Sequence, residues 1–198
     1  MGRKKLNAIR KKEIIFSFYE VAKKIGLENA SLAKIADEMN ISKSLIIHYF
    51  HSREALLIGL NTYMLEQHLY IVSNKNIKLD SKESIEKLIH SLFSRSWNSY
   101  FDDGVFYSCY ALIYRMKEFN ESFKKYLEKL HIILEKQLTE AKENNLIKND
   151  NIKEVTEIIY ALIDGAYYYL GLFEEDDENY KNKLNLYQKY AFDLLQFN

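Results

Sequence analysis

Apolar side chains recur every three or four residues along most of the chain, which is the period of a helix with one buried face. The pattern begins at residues 9–25 and resumes after two serines, Ser31 and Ser42. Each serine stands one place before an apolar-periodic segment, where its side-chain oxygen can accept from the first backbone N–H groups of a helix. The spacing therefore predicts two short helices, about 32–39 and 43–49, that follow a longer first helix.

The rest of the chain repeats the helical period over longer segments. Asn40 and Ile41 form a tight connection between the short helices, and Ser81 or Asp80 is placed to cap a later one. Proline is absent and glycine occurs six times, too few for the turn-rich connections of a sandwich or barrel. We expect an all-α protein of about nine helices, with the later ones at about 53–73, 81–101, 105–116, 120–145, 152–173 and 177–197.

Composition places the chain among globular proteins. Of its 198 residues, 47% are apolar and 28% are charged, which excludes intrinsic disorder. A single cysteine, Cys109, excludes a disulfide framework and suits a reducing compartment, so we expect a cytoplasmic protein. No apolar run approaches the ~20 residues of a membrane span, and the N-terminus does not resemble a signal peptide.

The net charge of zero hides an asymmetry. Residues 1–55 contain 11 Lys and Arg against 6 Asp and Glu, and the remainder contains 17 against 22. A basic N-terminal part on an acidic body is typical of a nucleic-acid-binding module joined to a module of another kind, although lysines on solvated helix faces would give the same excess.

The two short helices have the spacing of a helix-turn-helix, at residues 31–50. The second must bury one face and present a small or polar face to DNA. Ile46 and Phe50 suit the buried face. On the outer face, lysine and histidine can donate to base edges or phosphates, and leucine can pack on a thymine methyl group. The outer candidates are Lys43, Ser44, Leu45 and His48, and Ser31 is a candidate for contact with a phosphate.

The residues from Ile14 to Gly26 and the segment SLAKIADEMNISKSLIIHYFHSREALL, Ser31 to Leu57, resemble the TetR family of transcriptional regulators. The matching features are a capping Ser, the turn before a second short helix, an aromatic His-Tyr-Phe ending and the start of the next helix. The resemblance covers roughly the first 65 residues, and the remainder matches only by helix layout. It implies a three-helix DNA-binding domain, a helical ligand and dimerisation domain, and a homodimer that leaves DNA when a ligand binds.

The resemblance also implies roles for single residues. Arg53 stands where the family places a phosphate-contacting lysine, and Ile47 stands where it often has a tyrosine that touches DNA. Isoleucine cannot make that hydrogen bond. Asn40 replaces a small residue or glycine, and asparagine tolerates the left-handed backbone that such a turn can need. The predicted DNA-binding residues are Ser31, Lys43, Ser44, Leu45, Ile47, His48, Tyr49 and Arg53.

We predict a DNA-binding domain at 8–68 and a ligand-binding and dimerisation domain at 75–198. Aromatic side chains are dense around residues 97–119, and tyrosines supply polar tips in an apolar cavity. A ligand pocket is one interpretation of this density and a plain aromatic core is the other. The predicted ligand-binding residues are Trp97, Phe101, Phe106, Tyr110 and Tyr114.

The last two predicted helices carry apolar and small residues at helical spacing. In the TetR family the final two helices pair with their copies in a four-helix bundle, and packing within one chain is the alternative. The predicted dimer-interface residues are Leu162, Ala166, Leu170, Tyr187, Ala191 and Leu194.

The chain carries no motif of an enzyme, a metal site or a cofactor site. It has no Gly-rich phosphate loop and no nucleophile elbow, and its five histidines are scattered. We therefore expect a homodimeric repressor that a small apolar or aromatic ligand releases from a pseudo-palindromic operator. The alternatives are a dimeric regulator controlled by a protein partner or without an inducer, and a nonspecific nucleoid-type DNA binder.

Overall fold

A computed structural model of the chain describes residues 3–74, 78–94 and 101–198. Within these ranges the protein is helical, with one isolated bridge between Ile147 and Phe197 and no strand. This confirms the predicted all-α class and the expected number of helices. The helices are α1 (Arg3–Ile25), α2 (Leu32–Glu38), α3 (Lys43–Tyr49), α4 (Arg53–Asn74), α5 (Lys82–Phe93), α6 (Asp103–Tyr110), α7 (Lys117–Glu143), α8 (Ile152–Leu170) and α9 (Glu178–Leu195), with a 3-10 turn at Ala111–Tyr114.

Helix ends follow the local chemistry of the sequence. Ser31 and Ser42 are the N-caps of α2 and α3, and each hydroxyl oxygen accepts from a first-turn backbone N–H at 3.3 Å. Ser81, the other predicted cap, begins α5 in a capping box with Ser84. Gly26 ends α1 at φ 84°, a conformation that favours glycine. The predicted caps are therefore confirmed.

Three segments differ from the predicted pattern. Helix α1 begins at Arg3, earlier than the apolar pattern at residues 9–25 predicts. No proline or glycine separates Arg3 from the following good helix formers, so nothing stops the helix from starting early. Helix α5 ends at Phe93 instead of about residue 101, because Ser91 and Ser94 turn their hydroxyls back onto backbone carbonyls. The aromatic helix predicted at 105–116 is α6 followed by the 3-10 turn.

Contacts divide the chain into two compact units. The first comprises residues 1–70 and 98–126, and the second comprises residues 71–97 and 127–198. The sequence predicts a DNA-binding domain at 8–68 and a ligand-binding and dimerisation domain at 75–198. This division by function stays a prediction.

Each unit has an apolar core. Burial of each large side chain contributes roughly 1.5–3 kcal/mol, so these residues supply most of the stability. In the first unit the fully buried side chains include Ile14, Phe18, Ile35, Ile46, Leu56, Leu60, Met64 and Phe119. In the second unit they include Leu79, Ile85, Ile89, Leu134, Leu138 and Ile159. Among the described residues, no helix is long and apolar enough to cross a membrane.

Candidate nucleic-acid interface

Helix α3 has one buried and one open face. Ile46 is 0% exposed and Phe50, which ends the helix, is 8% exposed, so both anchor α3 on the rest of the first unit as predicted. The side chains that remain accessible turn away from that anchor. Lys43, Ser44, Ile47 and His48 are exposed, and Leu45 and Tyr49 are half-buried. The six α3 residues among the predicted DNA-binding residues are therefore at least partly accessible on one short helix.

The turn before α3 depends on a left-handed residue. Asn40 has φ 51°, and the following Ile41 N–H donates to the Ala36 carbonyl at 3.0 Å, which closes the end of α2. Asparagine adopts this conformation at lower cost than other side-chain-bearing residues. The expectation for Asn40 is confirmed, and this turn sets the angle between α2 and α3.

Contacts from α1 and α4 hold the end of α3 in position. Gly59 of α4 lies so close to α1 that a Cβ there would be 2.6 Å from Ile15 Cδ1 and 3.1 Å from Phe50 Cε1. The Lys11 ammonium of α1 lies 5.6 Å from the centre of the Phe50 ring. These contacts were not predicted, although an isolated glycine inside an apolar helix is a recognised sign of close packing.

Charged groups also link the elements of this unit. Lys24 of α1 and Glu38 of α2 form an ion pair at 2.7 Å, and the hydrogen bond to Glu38 raises the pKa of Lys24. Arg53 begins α4 and is exposed, yet its Nη2 donates to the Leu27 carbonyl oxygen at 2.7 Å. A guanidinium carries five N–H donors, so the others remain for a phosphate. Arg53 is a predicted phosphate contact, and it also links the start of α4 to the connection between α1 and α2.

The predicted ligand residues lie in varied surroundings. Trp97 is outside the described residues. Phe101 is buried, Phe106 is half-buried, and Tyr114 is 82% exposed. Four rings of α6 and α7 pack on one another with centroids 5.3–6.5 Å apart, and we call them the aromatic cluster: Phe106, Tyr110, Phe123 and Tyr126.

Polar side chains of α4 face α7 beside this cluster. The Asn61 amide, 1% exposed, donates to Ser122 Oγ at 2.7 Å, while its Oδ1 has no hydrogen-bond partner. His68 Nδ1 lies 2.5 Å from Tyr126 Oη. Sequence reasoning missed both pairs because nothing local shows which residues of α7 face α4.

Helix α1 also contacts the start of α6. The Asp102 backbone N–H donates to Tyr19 Oη at 2.8 Å, and the Tyr19 ring meets the Phe101 ring edge-on at 6.1 Å. Burial raises the pKa of the Tyr19 phenol. Within the first unit, α1 thus touches α2, α3 and α6.

The predicted dimer-interface residues divide into two groups. Ala166, Leu170 and Ala191 are at most 3% exposed, so they lie inside the chain. A second row on α8, with spacings of four, three and four residues, is exposed except for the half-buried Leu162. We call it the outer stripe: Ile158, Leu162, Gly165 and Tyr169. A Cβ added at Gly165 would meet nothing within 4 Å. Tyr187 and Leu194 of α9 are half-buried.

The described residues contain no group of three or more His, Cys, Asp and Glu side chains placed to hold a metal ion. Cys109 is fully buried in α6, and burial raises the pKa of its thiol to about 12.

Two family models match the sequence. The model of bacterial regulatory proteins of the tetR family matches residues 19–60, and that of the tetracyclin repressor-like C-terminal domain matches residues 80–197. The first covers α2 and α3 with the end of α1 and the start of α4, and the second covers more than half of the chain. Comparison with the curated proteins gives no significant match.

Solved structures share the fold across the whole chain. A TetR transcription regulator from Haloarcula marismortui has TM-score 0.78 and 17% identity, covering 95% of this chain and 97% of that one. NemR of E. coli, in its reduced form, has TM-score 0.74 and 11% identity, covering 95% and 98%. A regulator from Saccharomonospora viridis in complex with choline has TM-score 0.70 and 12% identity, covering 94% and 95%. With its open α3 face and two matching family models, the chain belongs to the TetR family, whose members are DNA-binding transcription regulators and not enzymes.

Proposed function

We propose that this regulator is a homodimeric repressor that binds a pseudo-palindromic operator and is released by a small apolar or aromatic ligand. The open face of α3 carries the proposal. It combines two donors, Lys43 and His48, with an exposed Ile47. Donors recognise guanine or phosphate, and an isoleucine that replaces a hydrogen-bonding side chain favours a thymine methyl group.

Phosphate contacts complete this interface. Ser31 has a hydroxyl hydrogen left to donate, because its oxygen already accepts from the Lys34 N–H at 3.3 Å. Arg53 is held by Leu27 and can present its outer N–H groups without further ordering. Such contacts set the register on the duplex, and α3 reads the bases.

Dimerisation is supported by the outer stripe of α8. Spacings of four and three residues are those of helices that pack side by side along a shared seam. The Tyr169 ring also lies 5.2 Å from the Lys183 ammonium of α9, so both final helices contribute to this face. In a two-fold dimer the two α3 helices must lie about 34–36 Å apart to enter successive major grooves.

The ligand response is supported by the aromatic cluster and the polar groups beside it. Buried Asn61 retains an unpaired carbonyl oxygen, and its amide bonds Ser122, the residue before Phe123 of the aromatic cluster. Such an oxygen suits a ligand that carries an N–H or O–H donor. The S. viridis relative holds choline, so a protein of this fold takes up a small molecule. An alternative, control by a protein partner, is favoured by Tyr114, which at 82% exposure is available to another macromolecule.

Selection of duplexes from a random pool tests the DNA half of the proposal. We expect a pseudo-palindromic consensus that the protein still prefers over random DNA at 200 mM salt. Equal affinity for all duplexes would instead identify a nonspecific binder.

Thermal unfolding with small molecules tests the ligand half. Phenol and toluene have nearly the same shape, and only phenol can donate to Asn61. We expect phenol to raise the midpoint more than toluene and to weaken binding to the selected duplex. If neither compound nor a wider set of aromatic amines and alcohols shifts the midpoint, control by a partner becomes the better description.

A further inference from the structure

We infer that Tyr19 is a positioning residue that couples the first turn of α6 to the DNA-reading helices through α1. The inference rests on the proposed ligand response, since it names the route by which movement of the aromatic cluster reaches DNA. This route differs from the obvious one along α4, the helix that follows α3 in the chain.

The first step is the anchoring of α6. Asp102 is its N-cap, and its carboxylate accepts from the Val105 N–H at 3.0 Å. Its own backbone N–H precedes the helix, so no carbonyl of α6 accepts from it. The acceptor is Tyr19 Oη, at 2.8 Å. This hydrogen bond therefore links the start of α6 to α1.

The second step is the rigidity of the contact. Tyr19 is 7% exposed and Phe101 is 5% exposed, and their rings meet edge-on. Val105 and Cys109, one turn apart on α6, are almost completely buried. Because the phenol is held by packing and by its hydrogen bond, a shift of α6 cannot be absorbed by a loose side chain.

The third step connects the aromatic cluster to α2 and α3. Phe106 and Tyr110 of the aromatic cluster are on α6, and α1 packs on α2 and α3. A molecule that displaces these rings must move α6, and α6 moves α1. Coupling between two sites is reciprocal, so DNA bound at α3 must also change the stability of the first turn of α6. That consequence can be measured without knowing the ligand.

Hydrogen exchange of residues 101–110 in the full-length protein, with and without the selected duplex, provides the test. In the wild type, we expect DNA to slow exchange of the first turn of α6. The Tyr19→Phe variant keeps the ring and loses the hydrogen-bond acceptor, so most of this DNA-dependent slowing should vanish, a change of about fivefold. The thermal midpoint of Tyr19→Phe, compared with that of the wild type, shows whether the variant is folded.

Tyr190→Phe is the matched control, because it removes a phenol of α9 that is 55% exposed and should leave the response intact. If Tyr19→Phe does not fold, Asp102→Pro removes the donor instead, and Asp102→Ala removes only the cap. The inference would be overturned by a response that survives both Tyr19→Phe and Asp102→Pro. It would also be overturned if Tyr190→Phe or Asp102→Ala abolished the response to the same extent. Failure to select any duplex would instead count against the proposed operator binding.

Discussion

Arg53 at the start of α4 donates to the carbonyl oxygen of Leu27, in the connection between α1 and α2, over 2.7 Å. The bond joins the element that follows the helix-turn-helix to the one that precedes it. The resemblance to the TetR family suggested only a phosphate contact for Arg53. A guanidinium suits this position, since it can donate to the Leu27 carbonyl and to a phosphate at the same time.

Replacement of Arg53 by alanine should therefore have two separate effects. Loss of the bond to Leu27 should lower stability by about 1 kcal/mol, or about 2–4 °C in the thermal midpoint for a chain of this size. Loss of the phosphate contact should weaken binding to all duplexes alike and reduce the salt slope by about one per subunit. In Arg53→Lys the charge remains, so we expect the slope to recover. An unchanged slope in Arg53→Ala would restrict Arg53 to the structural role.

Replacement of Lys43 by alanine should change sequence preference. Its side chain is exposed on the first turn of α3, and loss of a base contact costs about 1–3 kcal/mol at one base pair and little elsewhere. Repeated duplex selection with the variant measures this directly. Lys34→Ala, which removes an exposed lysine of α2, is the control and should leave the consensus intact. The assignment of α3 as the reading helix fails if Lys43→Ala keeps both affinity and consensus.

The turn at Asn40 gives a backbone prediction. Because φ is 51°, glycine should be tolerated or slightly stabilising, whereas valine should cost roughly 1–2 kcal/mol. Duplex affinity should follow stability in this series, since the turn orients α3. Denaturant unfolding of Asn40→Gly and Asn40→Val measures the difference, and equal stability of the two variants would contradict the left-handed turn.

Features set by neighbouring residues could be predicted from the sequence. Ser31, Ser42 and Asn40 act on backbone groups within a few positions, so their roles follow from local chemistry. The bond from Asp102 to Tyr19 joins residues 83 positions apart, and the bond from Arg53 to Leu27 joins residues 26 apart. Such pairs depend on how helices pack, which periodicity alone does not determine.

Helix α8 shows the same limit. Its inner row of Ile159, Ile163, Ala166 and Leu170 and its outer stripe both follow helical spacing, about 100° apart around the axis. Periodicity identifies two apolar rows but not which row the chain itself covers. This is why the predicted interface mixed buried residues such as Ala166 with half-buried ones such as Leu162.

The thiol of Cys109 should be unreactive in the folded protein. With a pKa of about 12, only about one thiol in 10⁴ is ionised at pH 8, and the thiolate is the nucleophile. A disulfide reagent should therefore label Cys109 only after denaturation. Since folding raises the pKa, the stabilisation associated with this thiol is lost as the pH rises from about 8.5 towards 12. Rapid labelling of the native protein at pH 8 would contradict this burial.

Gly165 offers the sharpest test of the proposed dimer. A Cβ there meets nothing within 4 Å in its own chain, and leucine favours a helix over glycine, so the isolated subunit of Gly165→Leu should be at least as stable as the wild type. In the dimer the added side chain would occupy the space of the partner helix and weaken association by about 1–3 kcal/mol.

Light scattering should then show a wild-type dimer at micromolar concentration and a shift of Gly165→Leu towards monomers with lower duplex affinity. Asn185→Leu adds a similar side chain to an exposed position of α9 that is not part of the outer stripe and should remain dimeric. A charge at Ala166 is a poorer probe, because that side chain is 3% exposed and the variant would unfold before it reported on association. A wild-type monomer would overturn the dimer itself, and an unaffected Gly165→Leu dimer would exclude the outer stripe as its contact.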